Sequence, residues 1–342
     1  MSQMRVGVLS DLPRATLFFS CLALFLLSGL CLPQASLAMQ IEVDGRAYIA
    51  LPTVGNHFGM GGHWHEVDKV YRLSSRQTTV DFTKNSRFTQ INRMPVYLGF
   101  STVELEGQLY IAVTDYQHVL QPILTPQVFE DKPEIQRVVI DVGHGGKDNG
   151  ARNDAYGLLE KDLNLDVAIR LKRLLEKSGF QVKLTRTKDV FIPLEKRSEI
   201  ANRFGADFFI SLHFNSAASS EPSGFEVFAL TPQNQPSTKN PRPTAQAAER
   251  FPGNNNDPWN MLAAYHVERA LVQGLGGPDR GVKRARFSVL KYLDCPGVLV
   301  ELGFLSHTET AKKLRSTDFR QLIAESLCQG VLIYRARLQR IQ

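Results

Sequence analysis

Cysteine is scarce in this chain. Four occur in 342 residues, and none sits in a CxxC pair or in the Cys/His spacing of a zinc finger. That excludes a structural metal site built from thiolates. A phosphate-binding P-loop is missing too, because Gly146-Lys147 is followed by Asp148 rather than by Ser or Thr. No basic helix, aromatic stacking platform or finger is available for nucleic acid, although the formal charge is +6. Such a charge suits an anionic polymer, and equally suits plain solvation. With 43% apolar and 22% charged residues, the composition is that of a globular protein rather than a disordered one. The length leaves room for two modest domains.

One stretch lacks charge altogether. Arg5 and Arg14 precede a mostly apolar run, Ala15 to Leu32, and Pro33 leads to the small pair Ser36 and Ala38. Residues 1–38 therefore read as a signal peptide with a small-x-small cleavage site. The run is 18 residues long, close to spanning length, so an uncleaved anchor is the alternative. Leu30 is too large for the position before Cys31 in a lipoprotein signal. Cleavage removes Cys21 and Cys31 and leaves Cys295 and Cys328, whose pairing sequence cannot decide. It also lowers the charge to about +5. Export to the periplasm is the expectation, with secretion to the wall as its variant and no stable membrane insertion after cleavage.

The mature chain changes character midway. Residues 41–123 carry short alternating runs between turn residues, such as Val70 to Leu73, Thr79 to Phe82 and Met94 to Leu98, which is a β-dominated pattern. The segment also repeats. Gly45-Arg46-Ala47-Tyr48-Ile49-Ala50-Leu51 is echoed 62 residues later by Gly107-Gln108-Leu109-Tyr110-Ile111-Ala112-Val113. Each unit reads as a turn, a strand and a short helix. This layout resembles the copper amine oxidase N-terminal-like domain, which does not imply copper. His63-Trp64-His65 places two imidazoles on one strand face without an evident third ligand. His57 and His118 follow the echoed strands and read as structural.

Residues 124–135, with Pro126 and Pro133, read as a linker. From 136 to 342 apolar strands alternate with amphipathic helices. Strands are predicted at Val138–Ile140, Val182–Thr185, Phe208–Leu212 and Val298–Val300. Leu163, Val167, Leu171 and Leu174 mark one helix, and others are predicted at 193–204, 260–274 and around Phe319 to Leu327. The fold class is α/β: a mostly parallel sheet with helices on both faces, preceded by a small β-rich α+β domain. Residues 231–258 break the pattern with six prolines and Asn254-Asn255-Asn256. They read as a surface insertion bordering the site.

Four residues carry the chemistry. The strand from Val138 to Asp141 runs into Gly143-His144-Gly145-Gly146, Glu160 starts a helix, and His213 and Glu301 end two further strands. In open α/β sheets ligands bind beyond the carboxyl ends of strands. Two imidazoles and a carboxylate make a catalytic zinc set, leaving the remaining carboxylate as general base. Manganese or cobalt could substitute. Each residue has a plainer reading: a glycine turn, a helix-terminal charge, a satisfied core histidine, or a carboxylate paired with an arginine. Glu301 is the least easily explained, since a carboxylate closing an apolar strand must be paired or used.

The stretch from Val138 to about Arg335 resembles the zinc-dependent N-acetylmuramoyl-L-alanine amidases of the amidase-3 family. The resemblance rests on Val139-Ile140-Asp141-Val142-Gly143-His144-Gly145-Gly146-Lys147-Asp148-Asn149-Gly150-Ala151, Leu159-Glu160-Lys161-Asp162-Leu163-Asn164-Leu165, Ile210-Ser211-Leu212-His213-Phe214-Asn215 and Val300-Glu301-Leu302-Gly303-Phe304-Leu305-Ser306. Leu184-Thr185-Arg186, Gly224-Phe225-Glu226-Val227 and Arg280-Gly281-Val282-Lys283-Arg284-Ala285 extend it. It implies zinc ligands at His144, Glu160 and His213, a catalytic glutamate at Glu301, and Asn215 beside the site. It implies one zinc ion as cofactor and peptidoglycan as substrate, cut between N-acetylmuramic acid and L-alanine of the stem peptide. Val142 stands where the family commonly has proline. Regulated members carry an inhibitory helix in the region of 231–258, which is here too proline-rich for one long helix, although Thr244 to Arg250 has room for a turn or two. Autoinhibition and an activator protein stay open. Two rival readings are another zinc peptidase of the cell wall, and a non-catalytic wall-binding regulator. His266 and His307 match no ligand position: the first reads as structural, the second as a helix start.

Overall fold

The computed structural model describes residues 40–66, 69–242 and 244–341; the signal peptide read at 1–38 lies outside them. Among the described residues no helix is long and apolar enough to cross a membrane.

The dominant element is an eleven-stranded mixed sheet. Across it run Gln181–Leu184, Arg137–Val142, Phe208–Asn215, Gly297–Phe304, Phe225–Leu230 and Asp279–Ala285. All these neighbours pair in parallel except Gly297–Phe304 with Phe225–Leu230, so the carboxyl ends of the first four strands share one edge. The apolar residues that predict these strands also fill the core on both faces. Val138, Ile140, Ile210 and Val298 pack under the helices Glu160–Lys177, Asp257–Leu275 and Thr317–Gln339, whereas Val139, Phe209 and Leu299 meet Ala201, Val289 and Leu290 on the other face. Period-two alternation across a doubly covered sheet requires this.

The sheet does not stop at the second half of the chain. Asp279–Ala285 pairs in parallel with Met94–Tyr97 through Val282 and Val96, and the antiparallel strands Phe88–Ile91, Thr79–Thr83, Val70–Ser74 and Gly61–Glu66 follow. The remaining early strands form a separate four-stranded sheet in which the two echoed segments are neighbours: Tyr48 faces Ala112, Ile49 faces Ile111 and Ala50 faces Tyr110. Each echo opens on the same turn. Asp44-Gly45 and Glu106-Gly107 all have positive φ, the requirement of a tight type I′ hairpin. After each echo the chain turns helical, at Leu51–His57 and from Val113 to Leu124.

Two strands run further than their apolar cores suggest. Phe208–Asn215 and Gly297–Phe304 extend beyond His213 and Glu301, so these two side chains project from within strands rather than ending them. Cys295 and Cys328 are both free and buried.

Candidate active site

His144 follows the strand Arg137–Val142 in a sharp turn. Its own φ is 59°, and Gly145 and Gly146 continue at 128° and 58°, a path open to glycine and strained for histidine. Two buried arginines over-determine this turn. Arg186 donates to the carbonyls of Val142 (3.1 Å) and Gly143 (2.8 Å). Arg197 donates to Val142 (2.6 Å) and His144 (3.0 Å) and pairs with the buried carboxylate of Asp141 at 2.9 Å. Thr185 and Ser211 complete the Asp141 shell at 2.9 and 2.7 Å.

Glu160 opens the helix Glu160–Lys177 and is nearly inaccessible. Its Oε2 accepts from the Ala151 amide at 2.7 Å, and its Oε1 accepts from the Phe214 amide at 3.0 Å. The same Oε1 lies 2.9 Å from His213 Nδ1 and 3.1 Å from His144 Nε2. One ligand atom from each of His144, Glu160 and His213 falls within 4.8 Å of the others. On the far side of the first ring, Asp148 Oδ2 sits 2.8 Å from His144 Nδ1. Such a carboxylate fixes the ring's orientation and makes it a better ligand.

The electrostatics fit a cation. Burial raises the Glu160 carboxyl, but hydrogen bonds from His144 and His213 outweigh it and hold the group far below the usual carboxylate range. Burial lowers His144, yet Glu160 and Asp148 carry it up to about 8. A carboxylate kept ionised beside two imidazoles, with no thiolate, is a donor set suited to a divalent ion of the zinc type.

Glu301 is directly opposite His213 in the parallel register, and opposite Glu226 on its other side. The two glutamates differ sharply. Glu226 is bound by Lys283, by Arg280 Nε at 3.1 Å and by Asn215 Nδ2 at 2.7 Å. Glu301 Oε2 is buried without a hydrogen-bond partner among the described residues. Burial first, then the charges of Glu160 and Glu226, push Glu301 up to about 7, against the opposing pull of His213 and Lys239. Neighbouring carboxylates with environments this unequal are the arrangement that assigns one to proton transfer.

All four sequence-predicted residues thus fall in one crevice. Asn215 is near but serves Glu226 rather than a ligand. His266 is buried on its helix, and His307 caps Thr308–Leu314 by accepting from the Thr310 amide. His118 pairs with Asp257 at 2.8 Å. His63 and His65 lie on an exposed strand. Sequence reasoning gave no role to Asp148, Arg197, Asp141 or Glu226. The first two had a signal: an acid four residues after the histidine, and an arginine on the buried face of the helix Leu194–Phe204. The segment 231–258 holds no long helix before Asp257 among its described residues, only short turns at Ala245–Ala248 and Pro252–Asn256.

N-acetylmuramoyl-L-alanine amidase AmiC of Escherichia coli is 35% identical over 225 residues, 60% of this chain and 53% of its own length. N-acetylmuramoyl-L-alanine amidase LytC of Bacillus subtilis is 35% identical over 199 residues, 58% of this chain and 35% of its own. The chain therefore spans about half of the first relative and a third of the second. The solved structure of the CwlD amidase from Clostridioides difficile, in complex with the GerS lipoprotein, superposes with a TM-score of 0.50 at 26% identity, covering 59% of this chain and 99% of that one. Residues 138–332, more than half of the chain, match the Amidase_3 family, described as N-acetylmuramoyl-L-alanine amidase, and the chain belongs to that family.

Proposed function

We propose that this protein hydrolyses the amide between N-acetylmuramic acid and the L-alanine of the peptidoglycan stem peptide, with one zinc ion held by His144, Glu160 and His213. The observation that carries the reading is Glu301: a buried carboxylate with an unpartnered oxygen, in register beside a ligand histidine. Zinc in such a site supplies Lewis acidity and lowers the pKa of a bound water to about 7.

The protein's own groups do the rest. Glu160 keeps its charge and draws both imidazoles toward one point. Asp148 holds the His144 ring, while Arg186 and Arg197 fix the turn that presents it. Glu301 Oε2 takes a proton from the attacking water and passes it to the departing L-alanine nitrogen. A carboxyl pushed up to about 7 is matched to that exchange near neutral pH. Burial does most to keep Glu301 basic, and the negative charges of Glu160 and Glu226 add to it.

Export belongs to the same reading, since the substrate lies outside the cytoplasm; residues 1–38 serve as the signal and the periplasm is the site of action. Residues 41–123 act as a wall-facing module of the copper amine oxidase N-terminal-like type, supported by the paired echo strands. A protein partner that regulates access is included, supported by the neighbour solved in complex with a lipoprotein.

The test uses purified sacculi and protein lacking residues 1–38. Free stem peptides should be released, stop on chelation and return with zinc. Release that persists after complete metal removal would sink the zinc mechanism.

A further inference from the structure

Arg280 is anchored on one side and open on the other. Its Nε donates to Glu226 Oε2 at 3.1 Å, and its guanidinium lies 4.9 Å from the ring centre of Phe304. Glu226 and Phe304 are both buried, so anchor and platform belong to the core. The two terminal nitrogens of Arg280 have no hydrogen-bond partner among the described residues, and 36% of its side chain is exposed. Glu226 does not depend on this cation alone. Lys283 binds the same oxygen, and Asn215 Nδ2 donates to the other at 2.7 Å. Two cations thus share one carboxylate, which leaves positive charge at the open end of the cluster.

The backbone beneath is fixed as well. The Gly281 amide donates to Asp279 Oδ1 at 2.8 Å and to Glu268 Oε1 at 3.1 Å. Gly281 has a φ of 78°, and a Cβ there would lie 2.3 Å from the Pro95 carbonyl oxygen. Asp279, the acid next to Arg280 in sequence, is engaged with Glu268 and Gly281. A planar fork held in this way loses little freedom when it takes a carboxylate through two parallel bonds.

Its place in the sheet gives it a role. His213, Glu301 and Glu226 stand in one row across three neighbouring strands, and the strand of Arg280 is the next one along. His144 and Glu160 lie on the opposite side of His213 from Glu301. A leaving nitrogen protonated by Glu301 therefore sends the stem peptide toward Glu226 and Arg280. The Arg280 Nε lies roughly 8 Å from Glu301, one cross-strand side-chain spacing beyond which comes the 3.1 Å contact with Glu226. Two residues of extended peptide span about 7 Å. In wall peptides the residue after L-alanine is a glutamate linked through its side chain, whose α-carboxylate is free.

We propose that the outward fork of Arg280 receives this first free carboxylate of the stem peptide, on the leaving side of the scissile amide. The inference rests on the amidase reading and adds to it a substrate feature: a free α-carboxylate at the second stem residue is preferred over an α-carboxamide. Phe304 and Glu226 set the direction of the fork, and Lys283 keeps Glu226 from consuming its charge.

The test compares two muramoyl tripeptides that differ only in that group, so that every other carboxylate cancels. With the zinc-loaded wild-type chain the acid should have a KM at least about tenfold below that of the amide, the scale of one hydrogen bond to a charged group. In Arg280→Gln the ratio of the two KM values should fall to about one. Arg280→Lys keeps the charge without the fork and should retain only part of the preference. Lys283 and Asn215 still hold Glu226 in both variants. A purely structural role for Arg280 would change both KM values together and leave their ratio intact, which would overturn the inference. So would equal KM values in the wild-type chain, or an undiminished preference in Arg280→Lys. Failure of the wild-type chain to release stem peptides from sacculi would instead refute the amidase reading. Calorimetric titration of the free acid and amide tripeptides onto the zinc-loaded chain then still decides the fork, with tighter binding of the acid expected and equal binding contradicting it.

Discussion

Removing the guanidinium of Arg197 tests how the histidine turn is held. Arg197 is 2% exposed and Asp141 fully buried, and the pair meets at 2.9 Å. Arg197→Met keeps most of the side-chain volume but deletes that ion pair together with the bonds to Val142 O, His144 O and Ile192 O. Thr185 and Ser211 still donate to Asp141, but they are neutral, so a buried charge loses its counter-ion. Breaking a buried pair from one side costs about 3–5 kcal/mol. For a chain of this size each kcal/mol lowers Tm by roughly 2–4 °C, so the shift should be on the order of 6–20 °C. Urea unfolding should show a lower midpoint at unchanged slope. Converting Asp141 to Leu in the same chain should recover part of the loss, because the orphaned charge is then gone. A single variant within about 1 kcal/mol of the parent would refute the assignment of Arg197 as the counter-ion of Asp141, since a replaced neutral hydrogen bond alone costs about that much.

Other perturbations have equally definite outcomes. Glu301→Gln should lower kcat by about 10²–10⁴-fold while zinc stoichiometry stays at one, as expected for a proton-transferring group; loss of metal would reassign it. The acid limb of kcat/KM should have its midpoint at or below about 7, because burial raises Glu301 to about 7 and a bound cation would draw it down; a midpoint well above 7 would contradict this. Asp148→Asn should weaken zinc about 10–100-fold in a chelator competition, the usual effect of losing a ligand's hydrogen-bond partner. Gly150→Ala should do the same by contact, since a Cβ there would lie 2.5 Å from Glu160 Oε2 and 2.6 Å from His144 Cδ2. Asp115 offers a pH test away from the site. Burial raises it from 3.8 to about 6, against the amides of Gly99 and Phe100. Within that window the folded chain keeps a proton the unfolded chain has released, so stability should fall as pH rises, by about 3 kcal/mol in total, and level off above it. Asp115→Asn should flatten that slope in denaturant titrations.

Much of this molecule is written in local patterns. Val138 to Ile140, Phe208 to Leu212 and Val298 to Val300 are short apolar runs, and a doubly covered sheet produces such runs at its centre. His144, Glu160, His213 and Glu301 were legible because each interrupts or follows an apolar run with a side chain the core cannot otherwise accept. Long-range partners were not. Nothing around Val96 or Val282 announces that they pair, since a single parallel bridge at a sheet seam leaves no periodic trace. The strand ends past His213 and Glu301 were missed because a charged or polar side chain breaks the apolar run there, although Phe214, Leu302 and Phe304 continue it and are buried. Arg197 falls on the apolar stripe of its helix with Ala201 and Phe204, but only the docked helix shows that Asp141 is its partner. Glu226 sits in an apolar strand as Glu301 does, but only the register that brings Lys283, Arg280 and Asn215 to it shows why it is neutralised. The segment 231–258 looked like a loop bordering the site. Its first residues leave the strand at the end away from His213, although the charge of Lys239 still acts on Glu301.

The most direct measurement is mass spectrometry of the two products from one defined muramoyl peptide cut in ¹⁸O-labelled water. A glycan ending in a labelled lactyl carboxylate, with an unlabelled peptide beginning at a free L-alanine amine, is the expected result. Label in the peptide, or cleavage within the stem or between sugars, would contradict the assignment of Glu301 and the zinc trio to the muramoyl amide.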